Sequence, residues 1–216
     1  SENEAFRFPV QLVIRPQGGL APSVDTDEFR DYRGYAGQIS SGVVKVGDSV
    51  EIVPGNYKTK VVGIDIAGKS VEQAFAPQSV NLRLAEEFDV ARGAVIGASN
   101  TLPESVNLIE AEVFWLDPRS VEPGARVLVK TGTSTVQAVI SQVIGRRNLD
   151  TLAIDPADKI EVNDIAHVMI KLAAALPFDD YRDNRRAGAF LIIQPQDGAT
   201  LGAGIHTNLE LVNFSI

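Results

Sequence analysis

Cysteine is absent from this 216-residue chain. Disulfide bonds, thiolate metal sites and cysteine nucleophiles are therefore excluded within it. Histidine occurs only twice, at His167 and His206, and neither stands at metal-ligand spacing from another histidine or completes a catalytic triad. We therefore predict no catalytic residue and no metal site in this chain.

Phosphate-binding glycine motifs are absent as well. Neither the G-x-x-x-x-G-K-[ST] loop nor a dinucleotide glycine fingerprint occurs, so we predict no nucleotide or other cofactor bound by this chain. The sequence begins at Ser1 and contains one methionine, Met169. We expect it to be part of a longer protein.

Long apolar runs and basic runs are missing too. No segment approaches the roughly 18 apolar residues of a membrane-spanning helix, and the N-terminus lacks the layout of a signal peptide. The net charge is −8, and it is spread over both halves of the chain. Phosphate neutralisation dominates nucleic-acid affinity, so an acidic chain of this kind is a poor candidate for binding DNA or RNA. We expect a cytoplasmic protein with no membrane partner.

Short β-branched runs punctuated by glycine dominate the first half of the sequence. Three of them are predicted strands: Tyr35–Ser40, Ser49–Pro54 and Lys58–Ile64. Pro54-Gly55-Asn56 has the composition of a hairpin turn. Further strands are predicted at Phe6–Ile14 and Val80–Leu84, and an exposed, mobile loop at residues 17–30. Strands at this spacing, without a helical period between them, predict a small antiparallel barrel.

The second half repeats this pattern after a polar linker at Ala98–Ser105. Alternating residues predict a strand at Leu108–Trp115, and further strands are predicted at Ala125–Thr131, Val136–Gly145, Ala187–Gln194 and Leu201–Ile205. Residues Asp164–Ala174 fit a strand or a short helix on pattern alone, and their setting favours a strand. Residues 148–158 are predicted to be polar and irregular. The fold class is therefore all-β, with two consecutive antiparallel β-barrels at residues 1–102 and 103–216.

Charged pairs provide the candidate surface residues of the second half. Arg146-Arg147 and Arg185-Arg186 adjoin predicted strands, and planar guanidinium groups suit either an acidic partner surface or a bound nucleotide. Exposed arginines that contribute little energy are the commoner alternative. Asp179-Asp180 is interpreted as a solvated loop. Phe114 and Trp115 are interpreted as core or interdomain residues.

Several segments resemble known protein families. Residues 37–50 (GQISSGVVKVGDSV) and 89–96 (DVARGAVI) resemble the second domain of elongation factor Tu-like GTPases. Residues 6–16 (FRFPVQLVIRP), 31–37 (DYRGYAG), 180–193 (DYRDNRRAGAFLII) and 199–204 (ATLGAG) resemble the GTPase (large) subunit of bacterial sulfate adenylyltransferase. The resemblance covers nearly the whole chain.

This resemblance implies two barrels, of the domain II and domain III types, that follow a GTP-binding domain outside the sequence. GTP and Mg²⁺ would bind in that domain. A separate catalytic small subunit would transfer the adenylyl group of ATP to sulfate, giving adenosine 5′-phosphosulfate for sulfate assimilation. Asp31, Arg33 and Tyr35, where the family-specific residues adjoin the 17–30 loop, join the arginine pairs as candidates for a partner or interdomain surface. The alternative is the barrel pair of a translation-factor GTPase that binds tRNA or the ribosome.

Overall fold

The computed structural model describes residues 3–15 and 33–207. The loop predicted at 17–30 lies outside the described residues. The chain divides into two compact units, Ser1–Leu102 and Pro103–Ile216. Every regular element of the described residues is a β-strand, which confirms the all-β fold class. Those residues contain no helix of the length and apolarity needed to cross a membrane.

The first unit is a closed antiparallel barrel. Its strands are β1 (Arg7–Ile14), β2 (Gly34–Gln38), β3 (Val43–Lys45), β4 (Ser49–Val53), β5 (Tyr57–Ile66), β6 (Lys69–Val71), β7 (Gln73–Phe75), β8 (Ser79–Leu84) and β9 (Val95–Ala98). Six of them form a ring in the order β4-β9-β1-β2-β8-β5, and pairing of β4 with β5 closes it. Closure leaves these six strands without a free edge. Strand β6 extends the sheet from β5, and β3 pairs with β7 separately.

The β4–β5 hairpin shows how local sequence produces the ring closure. Val50 and Ile52 point into the barrel, while Ser49 and Glu51 face outward, as the alternation predicts. Gly55 and Asn56 in the connecting turn have φ values of 109° and 52°. Glycine and asparagine tolerate such left-handed backbone best, so the predicted turn chemistry fits this hairpin.

The second unit is also a closed six-stranded barrel. Its strands are β10 (Ser105–Trp115), β11 (Ala125–Thr131), β12 (Ser134–Arg147), β13 (Ile154–Pro156), β14 (Ile165–Pro177), β15 (Ala189–Ile193) and β16 (Thr200–His206). The ring runs β11-β15-β16-β10-β14-β12, and β12 pairs with β11 to close it. The two expected antiparallel barrels are thus confirmed.

Strand β10 illustrates how the second core is built. Ile109, Ala111, Val113 and Trp115 alternate into the barrel and are fully buried. The Trp115 indole N–H donates to the Arg119 carbonyl at 2.8 Å, so its one polar group is satisfied. The intervening residues of β10 point outward. One side of this strand therefore supplies the core, and the other supplies an outer surface.

The sequence predicted most strands but missed short ones. Residues 164–174, interpreted as a strand, lie almost wholly within β14. Residues 148–158 were expected to be irregular, and this was wrong because β13 pairs Ile154–Pro156 with the end of β12. The three-residue strands β3, β6 and β7 were missed. Three residues are too few to display an alternation.

Candidate functional site

The first component of the candidate site is a structured loop at residues 179–188, here called the arginine loop. Asp180 accepts hydrogen bonds from the Arg182 backbone N–H at 2.8 Å and from its Nε at 3.0 Å. The Asp180 carbonyl accepts from the backbone N–H of Asn184 at 2.9 Å, and Asn184 Oδ1 accepts from Ala187 N–H at 3.1 Å. Asp180 and Asn184 are both buried. The interpretation of Asp179-Asp180 as a solvated pair was therefore wrong for Asp180, whose carboxylate organises the loop.

The end of strand β16 anchors the arginine loop to the barrel. The backbone N–H of His206 donates to the Gly188 carbonyl at 2.7 Å, and that of Tyr181 donates to the His206 carbonyl at 3.1 Å. His206 Nδ1 donates to the Asp179 carbonyl at 3.1 Å. A Cβ atom on Gly188 would lie 2.6 Å from Tyr181 Cα, so only glycine permits this close approach. These contacts connect both ends of the loop to strand β16.

The three arginines of the loop differ in their electrostatic pairing. Arg182 is matched by Asp180, whose hydrogen bond and charge raise the pKa of the guanidinium above its ordinary value, with a further contribution from Asp183. Arg185 and Arg186 are exposed and form no ion pair within residues 3–15 and 33–207. The loop therefore presents two exposed guanidinium groups without an ion pair among the described residues, next to the exposed Asp183.

The second component is a groove on the outer face of the same barrel. One row of directly opposed residues crosses five adjacent strands: Lys130, Leu191, Ala203, Phe114 and Ile165. At about 4.8 Å per strand the row is roughly 19 Å wide. Phe114 is 42% exposed and Leu191 is 38% exposed, and the small side chain of Ala203 stands between them. Two apolar ridges thus flank a depression.

The groove has a volume of about 650 Å³ and a mainly apolar lining. A second row, Ala189, Ile205 and Glu112, continues its floor. Tyr181 of the arginine loop also lines it. The backbone N–H of Ala189 donates to the Arg186 carbonyl, and the Thr131 hydroxyl donates to the Ala189 carbonyl at 2.9 Å. The arginine loop and the groove are therefore continuous.

Arg146 and Arg147, in contrast, are engaged within the barrel. Arg147 forms an ion pair with Glu112 and donates to the Leu152 carbonyl at 2.8 Å. Arg146 lies 3.6 Å from Asp164 and 3.8 Å from Glu161. Both guanidinium groups already have anionic partners, so this pair is less available to a ligand than Arg185-Arg186.

Two candidate residues of the first barrel, Arg33 and Tyr35, share one hydrogen-bond acceptor, the Phe88 carbonyl oxygen. Arg33 donates to this oxygen and lies 4.0 Å from Glu87. The Tyr35 hydroxyl donates to the same oxygen at 3.3 Å. Tyr35 is only 1% exposed and belongs to the barrel core, so its side chain adds nothing to an exposed surface, contrary to expectation. Asp31 lies outside the described residues.

Sequence reasoning missed the residues of the groove. Phe114 was interpreted as core or interdomain, together with Trp115. Trp115 is buried in the barrel, but Phe114 points outward and is substantially exposed. The alternation of β10 contained this signal, because Val113 and Trp115 face inward and the residue between them must face outward. The combination of Leu191, Ala203 and Phe114 required the strand order, which alternation does not provide.

The buried histidines serve local structure. His167 is buried with its Nε2 2.6 Å from Glu110 Oε1, consistent with a packed, hydrogen-bonded residue. His206 packs with its ring centroid 5.7 Å from that of Phe178. Within the part of the chain that the structure describes, no three His, Asp or Glu side chains cluster as metal ligands would.

The class of fold is that of the two β-barrels of elongation-factor GTPases. Residues 108–207 match a family model described as GTP-eEF1A C-terminal domain-like. A solved structure of Sup35 complexed with GMPPNP superposes with a TM-score of 0.78, covering 95% of this chain and 47% of that chain. The identity is 16%, so this likeness shows the fold alone.

Relatives of higher sequence identity indicate a more specific class of protein within this fold. The chain is 35% identical over 201 residues to the bifunctional enzyme CysN/CysC of Mycobacterium tuberculosis, covering 92% of this chain and 31% of the relative. It is 36% identical over 201 residues to sulfate adenylyltransferase subunit 1 of Methylorubrum extorquens, covering 93% of this chain and 40% of the relative. The expected resemblance to the large subunit of sulfate adenylyltransferase is confirmed, and the chain spans less than half the length of these relatives.

Proposed function

We propose that this chain is the barrel region of a sulfate adenylyltransferase subunit 1. It couples GTP hydrolysis in a G domain outside the chain to adenylyl transfer from ATP to sulfate by a separate catalytic subunit. The observation that carries the proposal is 35–36% identity over 201 residues, a length that extends through both barrels. The products of the partner reaction are adenosine 5′-phosphosulfate and pyrophosphate.

In this proposal each part of the complex has a different chemical task. GTP and Mg²⁺ bind in the G domain, and ATP and sulfate bind in the catalytic subunit. The barrels carry neither reaction. Each is a closed ring with its own buried core, and such rigid bodies transmit the state of a nucleotide switch by moving as units. We place the complex in the cytoplasm.

The arginine loop and the groove are the surface that we assign to the partner. Arg185 and Arg186 are exposed and form no ion pair among the described residues, and the adjoining groove offers exposed apolar side chains. Partner surfaces combine such features, because apolar anchors supply affinity and charged rims select the partner. Arg33 and Asp31 remain candidates for a surface on the first barrel.

The test is a reconstitution of the full-length protein that contains this chain with its catalytic subunit. Pyrophosphate release is measured with ATP and sulfate, with and without GTP. GTP is expected to stimulate release, and GDP is the matched control. Unchanged turnover in the presence of GTP would reject the coupling role.

The second candidate is the barrel pair of a translation-factor GTPase. The match of residues 108–207 to the GTP-eEF1A C-terminal model favours it. The net charge of −8 opposes it, because RNA binding requires neutralisation of phosphates. Binding of this chain to tRNA that weakens steeply with salt would select this candidate over the first.

A further inference from the structure

We propose that the groove of the second barrel binds an acidic segment of the catalytic partner subunit, anchored by an apolar side chain beside Ala203. This inference rests on the proposed function and specifies the surface and the chemistry of the partner. The occupant is a short stretch of polypeptide with aspartate or glutamate side chains flanking one large aliphatic or aromatic residue.

The shape of the groove indicates that the occupant inserts one apolar anchor side chain. Ala203 is exposed and lies directly opposite Leu191 on one neighbouring strand and Phe114 on the other. The two larger side chains project beyond its methyl group, so a side chain from a partner fits between them and contacts both. Burying such a side chain removes apolar surface of Phe114 and Leu191 from water, which favours association.

The charges around the groove indicate that the occupant carries acidic residues on either side of its apolar anchor. Lys130 stands at one end of the row of opposed residues, and no ion pair involves it within the described residues. The Arg186 carbonyl accepts from the backbone N–H of Ala189, which lines the groove, and neither Arg185 nor Arg186 forms an ion pair among the described residues. The one carboxylate that lines the groove, Glu112, is neutralised by Arg147. Lys130, Arg185 and Arg186 are therefore three cations without an ion pair among the described residues, with the exposed Asp183 beside the two arginines.

Two other regions of this barrel lack this combination. Leu149 and Leu152 are exposed in the β12–β13 connection, but the neighbouring Arg147 is already paired with Glu112. Arg126 and Lys171 line a second depression of about 460 Å³, which lacks an exposed aromatic ridge. Of these two depressions, the groove beside the arginine loop is the one that joins exposed apolar ridges to unpaired cations among the described residues.

The absence of cysteine permits a direct mapping experiment. Ala203→Cys introduces a single thiol, to which a short photo-crosslinker is attached, and the 216-residue chain is irradiated with the catalytic subunit. Mass spectrometry is expected to place the crosslink within a few residues of an aspartate or glutamate cluster in that subunit. Ala174→Cys, at an exposed alanine of β14 outside the groove, is the matched control and should give no such crosslink.

Affinity measurements test the same surface independently. Ala203→Glu fills the depression and adds a repelling charge, and Arg185→Glu with Arg186→Glu reverses the flanking charges. Each is expected to weaken binding of the catalytic subunit by about tenfold or more, which corresponds to about 1.4 kcal/mol. Ala174→Glu and Arg126→Glu should change it by less than about twofold. Circular dichroism and Trp115 fluorescence confirm that each variant remains folded.

The outcomes separate this inference from the proposed function. GTP-stimulated pyrophosphate release together with unchanged affinity of Ala203→Glu would overturn the groove assignment and leave the function standing. Failure of the unaltered chain to bind the catalytic subunit would overturn the groove assignment as well. So would a crosslink from Ala203→Cys to a second copy of the chain, or to its own residues after Thr207. When Ala203→Glu is placed in the full-length protein, rescue of GTP-stimulated turnover by excess catalytic subunit would support the inference, because only association is impaired.

Discussion

Asp180 and Arg182 form a bidentate ion pair across only one intervening residue. Arg182 Nε donates to Oδ1 at 3.0 Å and Nη2 donates to Oδ2 at 2.8 Å, while the Arg182 backbone N–H donates to Oδ1 at 2.8 Å. The carboxylate is 7% exposed and the guanidinium 73% exposed. The buried partner therefore fixes the backbone of the arginine loop, and the exposed partner remains at its surface.

Asp180→Asn tests whether this carboxylate organises the loop. The amide preserves the shape of the side chain but loses the charge and one acceptor, so we expect a loss of about 1–3 kcal/mol in the free energy of unfolding. Urea denaturation followed by the fluorescence of Trp115, the single tryptophan, measures it. Asp183→Asn, in the same loop but exposed, should change stability by less than about 0.5 kcal/mol. Equal effects of the two substitutions would contradict the role assigned to Asp180.

Asp117 and Arg119 form the same kind of bidentate ion pair, and here the pH dependence of its contribution to stability can be predicted. The side-chain hydrogen bond from Arg119, followed by the Arg119 backbone N–H, lowers the pKa of Asp117 from 3.8 to about 2. Because the pKa is lower in the folded state, the stabilisation by this carboxylate is complete above the unfolded value of 3.8 and is lost as the pH falls towards about 2. Carboxyl carbon NMR should show a midpoint near 2. In Arg119→Ala the midpoint should return towards 3.8, and an unmoved midpoint would contradict this cause.

The barrels could be predicted from sequence because each strand carries its own signal. Val50 and Ile52 alternate with polar residues, and Gly55-Asn56 has the composition of a hairpin turn. The groove could not be predicted in the same way. Phe114 is far from Leu191 and Ala203 in the chain, and the three residues meet only because β16 lies between β15 and β10. Alternation identifies the face of a strand, whereas strand order depends on the packing of the whole barrel.

The candidate arginine pairs show the same limit of prediction from the sequence. Arg146-Arg147 and Arg185-Arg186 are indistinguishable as sequence pairs. The first pair lies near Glu112, Asp164 and Glu161, and these contacts depend on strand pairing and on a loop fifteen or more residues away. The availability of an arginine for a partner is therefore a property of the fold. The Asp180–Arg182 and Asp117–Arg119 pairs differ, because the two residues of each pair are separated by one residue in the sequence. The sequence analysis still missed the first pair, since it interpreted Asp179-Asp180 as a solvated loop.

Gly55→Ala tests the hairpin that closes the first barrel. Gly55 has φ = 109°, and an added Cβ would lie 2.3 Å from the Tyr57 ring, which stacks on Phe88 at 4.7 Å. We expect a loss of about 1–2 kcal/mol from backbone strain and a further 0.5–1.5 kcal/mol, roughly, from the displaced aromatic pair. Gly47→Ala, with φ = 94° and nothing within 4 Å of the added Cβ, isolates the strain. Thermal unfolding followed by circular dichroism should show the smaller loss for Gly47→Ala, and equal losses would rule out the aromatic contribution.

Gly188→Ala tests whether the close packing of Gly188 against Tyr181 holds the arginine loop in place. The new methyl group would lie 2.6 Å from Tyr181 Cα and 2.9 Å from the Asp179 carbonyl oxygen, and backbone atoms cannot move aside as a flexible side chain would. We expect the loop to be displaced at a cost of about 1–3 kcal/mol. The amide hydrogens of Asn184 and Gly188 should then exchange with solvent faster than in the unaltered chain.

The matched control for this exchange experiment is Gly124→Ala, in a different turn of the same barrel. Gly124 has φ = 92° and nothing within 4 Å of an added Cβ, so the substitution introduces backbone strain without touching the arginine loop. Both variants should be less stable overall, but only Gly188→Ala should release the amides of the loop at denaturant concentrations far below the global transition. Equal protection of those amides in the two variants would mean that the loop is held by Asp180 and Asn184 alone. The position of the unpaired arginines beside the groove would then depend on the internal hydrogen bonds of the loop, and Asp180→Asn would be the variant that displaces them.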